Sequence, residues 1–386
     1  MDINVGIKLH NRFDIEVKDI KTGKIVHIGQ AENIVLDSMF NWLMNNTSAP
    51  TYTYAYSRMA YGKGTGTPSA TRTTLFNQLG VKNKTVVEFV HNQSPTPSWC
   101  KSKIIINPEE HVGETITEVG LVTYYADILL THALIKDAEG NLITIGPKTD
   151  TQEITIYSTV YATVTLPDGI LLTIPPEGNA LLHKLLGSGM SYLTYAHVSS
   201  SPYLECHLFS DKTATNQSNL YNTGSISNKK NFAFTVQDAV NKKNSVPRIR
   251  FQANEGNGKV WSISLISFMS SYWCGLFRIL MPNSLWAGYH FEGKSIGIGD
   301  GSTNKFNLPW SDINTTKEYK IYVDGALKTK DVDYTLSNAV AETSVTFTNA
   351  PASNAVITGY WWVDYIPKDA DHVLDINFAI QFGEGA

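Results

Sequence analysis

Along most of this chain, apolar and polar residues alternate with a period of two, and the helical period surfaces only in short runs. In IEVKDIKTGKIVHIGQA, Ile15, Val17 and Ile20 precede a Thr-Gly turn and Ile25, Val26 and Ile28 follow it, which predicts a hairpin. LDSMFNWLM then places Leu36, Met39, Phe40 and Leu43 at i, i+3, i+4 and i+7, one helical face, with Asp37 where a carboxylate suits the helix dipole. A Tyr-rich strand carrying Tyr52, Tyr54 and Tyr56 comes next. Strands are predicted at VVEFV, SKIIIN, ETITEVGLV, ILLTHALI and QEITIYSTVYATV, the last alternating Ile154, Ile156, Ser158, Val160 and Ala162. Short strands separated by turn signals predict an antiparallel sheet or sandwich.

The stretch GKGTGTPSATRTTLFNQLG, Gly62 to Gly80, gathers glycines around a lysine as a phosphate-binding loop would. It fits neither nucleotide template: Lys63 follows the first glycine rather than the second, and Thr67 stands where a dinucleotide fingerprint needs its third glycine. The expectation is a structural loop followed by a short helix over TTLFNQLG, capped by Thr73 or Thr74 and ended by Gly80.

The same order of segments then recurs. The helix at Leu36 to Met44 corresponds to GNALLHKLLG, with Leu181, Leu182, Leu185 and Leu186; TLFN corresponds to NLYN and SKIIIN to RIRFQ. TITEVGLV corresponds to KVWSISLI, LLTHALI to GLFRILM, and PKTDTQEITIYSTVYATV to PKDADHVLDINFAIQFG, pairing Ile154, Ile156 and Val160 with Leu374, Ile376 and Ile380. The apolar segment from Trp261 to Met281, which has the length of a membrane span, thereby becomes two consecutive core strands; its serines and Arg278 also argue against a span. The reading is a duplicated domain, copy 1 over 1–165 and a diverged copy 2 over 166–296 plus 361–386. Residues 297–360 form an inserted small β module with strands at YKIYVDG, DYTL, SVTFTN and AVITGYW. Such an insertion costs little, because loop-closure entropy grows by only about 0.6 kcal/mol per doubling of length. The fold class is mainly β, a β-rich α+β chain of tandem antiparallel sheet or sandwich domains with a few short helices.

Composition agrees. Of 386 residues, 17% are charged, against about 25% in an average soluble protein, and Ser, Thr and Asn supply the polarity of turns and strands. A net charge of −4 argues against a nucleic-acid partner. The basic groups at Lys229 and Lys230, Lys242 and Lys243, and Arg248 and Arg250 lack interleaved aromatics and read as solvated edges. Three scattered cysteines, Cys100, Cys206 and Cys274, do not staple a secreted fold, and the N-terminal residues carry no apolar signal-peptide core.

Two pieces carry a resemblance. GDGSTNKFNLP followed by YKIYVDGALK, DVDYTL, VTFTNAPA and AVITGYW is similar to a β module of bacteriophage tail, fibre and baseplate proteins. GKGTGTPSATRTTLFNQLG with TITEVGL and LLTHALI resembles, more loosely, an N-terminal domain of phage tail-associated virion proteins. The resemblance implies a building block of a tail or baseplate in the virion, assembled in the bacterial cytoplasm. Its partners would be other tail or baseplate proteins, in a homo-oligomer such as a trimer or hexamer.

Candidate chemistry does not converge. Glu109 and Glu110 are adjacent in a Pro-Glu-Glu turn rather than opposed across a glycosidic bond. Asp364, Asp369, Asp371 and Asp375 lack the central glycine of a calcium loop, and His197, Cys206 and His207 match no structural zinc spacing. The expectation is no enzyme, no cofactor and no metal. Aromatic residues remain, because Trp and Tyr on sheets pack cores, anchor interfaces or stack on sugars. Tyr52, Tyr54, Tyr56, Trp310, Tyr322, Trp361 and Trp362 are the candidate interface or receptor contacts, together with Tyr319, Tyr334 and Tyr360 in the module. The sequence reading is a tail or baseplate adaptor that docks on neighbouring proteins. Its alternatives are a receptor-binding tail protein recognising a host-surface saccharide or protein, and a neck, collar or head decoration protein.

Overall fold

The computed structural model describes residues 1–45, 57–90, 92, 96–123, 127–167, 170–172, 204–210, 225–232, 236–238, 240–269, 272–281 and 286–384. Tyr52, Tyr54, Tyr56, His197 and the second-copy helix at Leu181 to Leu186 lie outside them.

The first unit runs β1 (Asp2–Asp19), β2 (Ile25–Glu32), β3 (Ile34–Val35), α1 (Asp37–Asn45), β4 (Arg58–Gly62), β5 (Gln78–Asn83), β6 (Thr85–Val90), β7 (Ser98–Ile106), β8 (Glu118–Val122), β9 (Thr131–Leu134) and β10 (Gln152–Thr165). The second runs β11 (Ile170–Leu172), β12 (Leu204–Phe209), β13 (Ser225–Asn231), β14 (Val236–Asp238), β15 (Lys243–Phe251), β16 (Gly258–Val260), β17 (Ser262–Met269) and β18 (Tyr272–Leu280). The module holds β19 (Tyr289–Ile298), β20 (Lys305–Asn307), β21 (Lys320–Val323), β22 (Ala326–Lys328), β23 (Tyr334–Asn338), β24 (Thr343–Phe347) and β25 (Val356–Val363), after which β26 (Ile366–Lys368) and β27 (Leu374–Glu384) rejoin the second unit. The protein is mainly β, and its sheets are almost wholly antiparallel.

An eight-stranded sheet runs β14-β15-β27-β1-β10-β7-β6, with β2 added beside β1. Strand β1 is its centre. One edge pairs with β10 from Gly6 to Asp19; the other pairs with β27 in parallel from Asp2 to Leu9 and then with β2 from Arg12 to Lys18. Alternation along β1 buries Ile3, Val5, Ile7, Leu9, Phe13, Ile15 and Val17 on one face, as a period of two requires. Their partners Ile154, Ile156, Ala162 and Val164 on β10 and Phe378, Ile380 and Phe382 on β27 share that face, as does Val160 opposite the buried Asn11. A one-residue slip would turn this entire set into water, so the alternation itself specifies the register. Two five-stranded sheets, β3-β9-β8-β4-β5 and β11-β18-β17-β12-β13, contribute to the same core. The layering is sandwich-like.

The two units repeat one pairing scheme. Ile104 and Ile106 face Ile156 and Ile154 across β7 and β10, while Ile249 and Phe251 face Ile376 and Leu374 across β15 and β27. Glu118 and Val119 face Leu134 and Ala133; Ser262 and Ile263 face Leu280 and Ile279. These pairs fall at corresponding places in the two segment orders read from the sequence. The polar fixtures recur as well. Lys82 pairs with Glu110 and Lys230 with Glu255, and the buried ammonium groups of Lys148 and Lys368 donate to the carbonyls of Pro108 and Ala253. No counterpart of β1 and β2 is found among the described residues of the second unit; β27 pairs with β1 instead.

The module has two small sheets, β19-β25-β21-β22 and β20-β24-β23, around a separate core that includes Phe291, Ile321, Val345, Ile357, Trp361 and Val363. Its ladder reaches from Tyr289 to Val363, a wider span than residues 297–360, because β19 and β25 pair to their ends. Trp261 of the second unit joins this core against Tyr365, with ring centroids 4.9 Å apart, and the Lys259 ammonium donates to the Val340 carbonyl at 2.6 Å. The Asp324-Gly325 turn has φ values of 51° and 75°, the two left-handed residues of a tight hairpin. Asp300 of GDGST accepts from the Thr303 and Ser302 amides and hydroxyls, which hold its carboxyl far below the usual range.

Cys100 and Cys206 are buried, and burial pushes both thiols upward from their ordinary pKa. Because thiolate is the reacting form, peptide mapping after brief iodoacetamide treatment should find both unmodified in the native protein and both alkylated after unfolding.

Candidate functional site: an aromatic sheet face on the module

The glycine-rich loop is the first place to look for a ligand, and it is occupied from within. Leu75 to Asn77 are irregular and Gln78 to Gly80 open strand β5, so the short helix expected over TTLFNQLG is not formed. The physical reason is Glu118, buried at the start of β8. Its carboxylate accepts the backbone N–H groups of Gly64 at 2.9 Å, Phe76 at 2.9 Å and Asn77 at 2.8 Å, and contacts His132 Nε2 at 3.0 Å. Amides that would otherwise start a helix or cradle an anion converge on an internal carboxylate. Burial pushes the Glu118 pKa up, but the hydrogen bonds from His132, Asn77, Phe76 and Gly64 outweigh it and the net shift is downward. A Cβ on Gly64 would lie 2.1 Å from Phe76 Cβ and 2.6 Å from Glu118 Oε1. Gly64→Ala should therefore cost roughly 1–3 kcal/mol, seen as a lower unfolding midpoint.

The acidic groups disperse. Asp375 forms a two-pronged pair with Arg250 at 2.7 and 2.6 Å, Asp369 is engaged by His372, and Asp364 by Asn314. His207 bonds Glu205 at 2.8 Å while Cys206 is buried away from it.

What does converge lies on the outer face of β25. Successive strand residues point to opposite faces, so Ile357, Gly359, Trp361 and Val363 go inward while Thr358, Tyr360 and Trp362 stay partly exposed. Trp361 is fully buried against Phe291, with centroids 5.2 Å apart. This corrects its place among the candidate contacts: it is a core residue. Trp310 is half-buried, stacked on Phe291 at 6.2 Å and near Tyr365 at 6.1 Å, so it packs the edge of that core. Tyr322 and Trp362 do share the outer face. Tyr322 pairs with Thr358 and Leu327, Lys320 with Tyr360, and His290 with Trp362.

Neighbours hold the rings. Trp362 Nε1 donates to the Tyr360 hydroxyl at 3.0 Å. The His290 ring sits 4.9 Å from Trp362 and 5.8 Å from Tyr360, and the Lys317 ammonium lies 4.3 Å from the Trp362 ring centre. Lys317 also donates to the Ala287 carbonyl at 2.5 Å. Asn314 takes the Trp362 carbonyl through its backbone N–H at 2.7 Å and the Asp364 carboxylate through its side chain at 2.9 and 3.1 Å. Gly288, at φ 104°, closes the group: a Cβ there would stand 2.7 Å from the Val363 carbonyl and 3.5 Å from both Asp364 Oδ1 and Lys317 Nζ. Lys320 is paired with Glu318 at 2.9 Å. His290, Asn314, Lys317 and Glu318 were not singled out from the sequence. For Trp361 and Trp362 the signal was present, since the parity of Ile357 and Val363 decides which faces inward.

The fold and this face define a layered β protein carrying a small β module with an exposed aromatic sheet. No protein-family model, curated protein or solved structure matches the chain. Among the described residues, no helix is long and apolar enough to cross a membrane.

Proposed function

We propose that this protein is a non-catalytic structural component of a bacteriophage tail or baseplate. It would oligomerise, dock onto neighbouring tail proteins as an adaptor, and present the module outward. The observation that carries this is the repeated pairing scheme, in which two β units share one sheet around β1 and a separately cored module is rooted in the second unit. An internal duplication explains the matching registers. It also gives each chain two similar surfaces, so a ring of such chains offers twice as many docking units as subunits and meets partners of a different symmetry. The apolar residues Ile20, Ile25, Val26 and Ile28 at the β1–β2 hairpin are half-exposed or more, which suits a subunit that buries surface on assembly.

The test is the mass of the purified protein in solution, together with electron-microscope class averages. A trimer or hexamer with twice as many body lobes as chains supports the adaptor. A monomer removes intrinsic ring formation, and clearing of a polymer substrate by the whole protein overturns the non-catalytic reading.

A further inference from the structure

We infer that the outer face of β19, β25 and β21 is a carbohydrate-binding face, with Trp362 and Tyr360 stacking on pyranose rings of a cell-surface oligosaccharide. This goes beyond the docking proposal by naming a ligand for the module, and rests on that proposal only for where the ligand is met.

Three features of the face carry the inference. The first is geometry: Tyr360 and Trp362 are two residues apart on one strand, about 7 Å along it, on a sheet surface whose opposite side is closed by the buried Trp361. The two partly exposed rings offer apolar surface of the kind that suits the C–H face of a sugar, whereas an apolar peptide side chain needs a pocket.

The second is the company the rings keep. Cores of protein interfaces are depleted of Lys, Asp and Glu. Here Lys317, Lys320 and His290 lie beside the rings, and Asp364, two residues after Trp362, is held by Asn314. Hydrogen-bonding capacity is left over: Asp364 has lone pairs beyond those facing Asn314, and one Lys317 donor goes to Ala287 while an ammonium has three. Acceptors and donors flanking apolar rings match a sugar, which shows hydroxyls at its rim and C–H groups on its face. The carboxylates of Asp364 and Glu318 disfavour a nucleic-acid backbone.

The third is preorganisation. The bond between Trp362 Nε1 and the Tyr360 hydroxyl, with His290 and Lys317 against the Trp362 ring, holds the two side chains in place before a ligand arrives. That spares the entropy of immobilising large side chains on binding.

The experiment applies the full-length protein to an array of bacterial surface glycans with neutral and acidic members, and then titrates the best soluble oligosaccharide. The expected result is binding that weakens at least about tenfold in Trp362→Ala, equivalent to 1.4 kcal/mol, and is lost in Tyr360→Ala/Trp362→Ala while the unfolding midpoint changes little. Absence of binding to every array member overturns the inference, as does binding that survives the double substitution. Loss of capture of another tail protein by Trp362→Ala, with no glycan bound, assigns the face to a protein and overturns it too. The mass measurement is independent: a symmetric oligomer that binds no glycan keeps the adaptor and removes the sugar site, and a monomer that binds one does the reverse.

Discussion

Glu118→Ala should destabilise the protein by about 3–5 kcal/mol, because each buried donor stripped of its acceptor costs roughly 1–3 kcal/mol. The substitution strands the amides of Gly64, Phe76 and Asn77 and removes the partner of His132, whose own surroundings are fully buried. Water entering the vacated volume would recover part of the loss, which keeps the figure below the simple sum. Glu118→Gln should fall between wild type and alanine, since one amide oxygen replaces two carboxylate oxygens and the NH₂ group meets other donors. The pH dependence separates charge from shape. The folded-state pKa of Glu118 lies below its ordinary 4.5, so its ionised form contributes stability that is complete above about that pH and is lost as pH falls through the folded value. Guanidinium unfolding from pH 7 downward should show wild type and Glu118→Gln converging below pH 4.5. Curves that stay parallel across that range would mean the carboxylate charge contributes nothing to the loop.

That residue also shows where the sequence stopped being legible. TTLFNQLG has cap-like threonines and a terminal glycine, and the helix expected from them was locally sound. The decisive acceptor lies 42 residues away from Phe76, and no local pattern reports it. Strands read better because their evidence is local. Alternation along β1 and β10 gives the buried face directly, Leu36, Met39 and Phe40 mark the buried stripe of α1, and Thr22-Gly23 turns the first hairpin with Gly23 at φ 71°. The pairs Ile104–Ile156 and Ile249–Ile376 stand at matching places in the two segment orders read from the sequence. The aromatic face was half legible. Its Tyr and Trp residues stand out by type, but His290 reaches Trp362 only because β19 pairs with β25, and Asn314 and Lys317 arrive from the loop before β21.

The adjacent pair Trp361 and Trp362 turns strand parity into the sharpest contrast available. Trp361→Ala removes a fully buried ring from the module core, and truncating a buried Trp costs about 3–5 kcal/mol. Since that core is a cluster separate from the main one, the loss should appear as an early transition of the module in calorimetry, with proteolysis between Tyr289 and Val363 while the main sheets hold. Trp361 Nε1 is buried without a hydrogen-bond partner, so Trp361→Phe both removes volume and relieves an unpaired donor; it should cost only about 1–2 kcal/mol. Trp362→Ala, on the half-exposed face, should cost about 1 kcal/mol or less and leave a single transition. If Trp361→Ala melts like wild type and Trp362→Ala unfolds the module, the inward and outward faces of β25 are exchanged. The register with β19 would then be wrong by one residue, and the proposed sugar face would be lost with it.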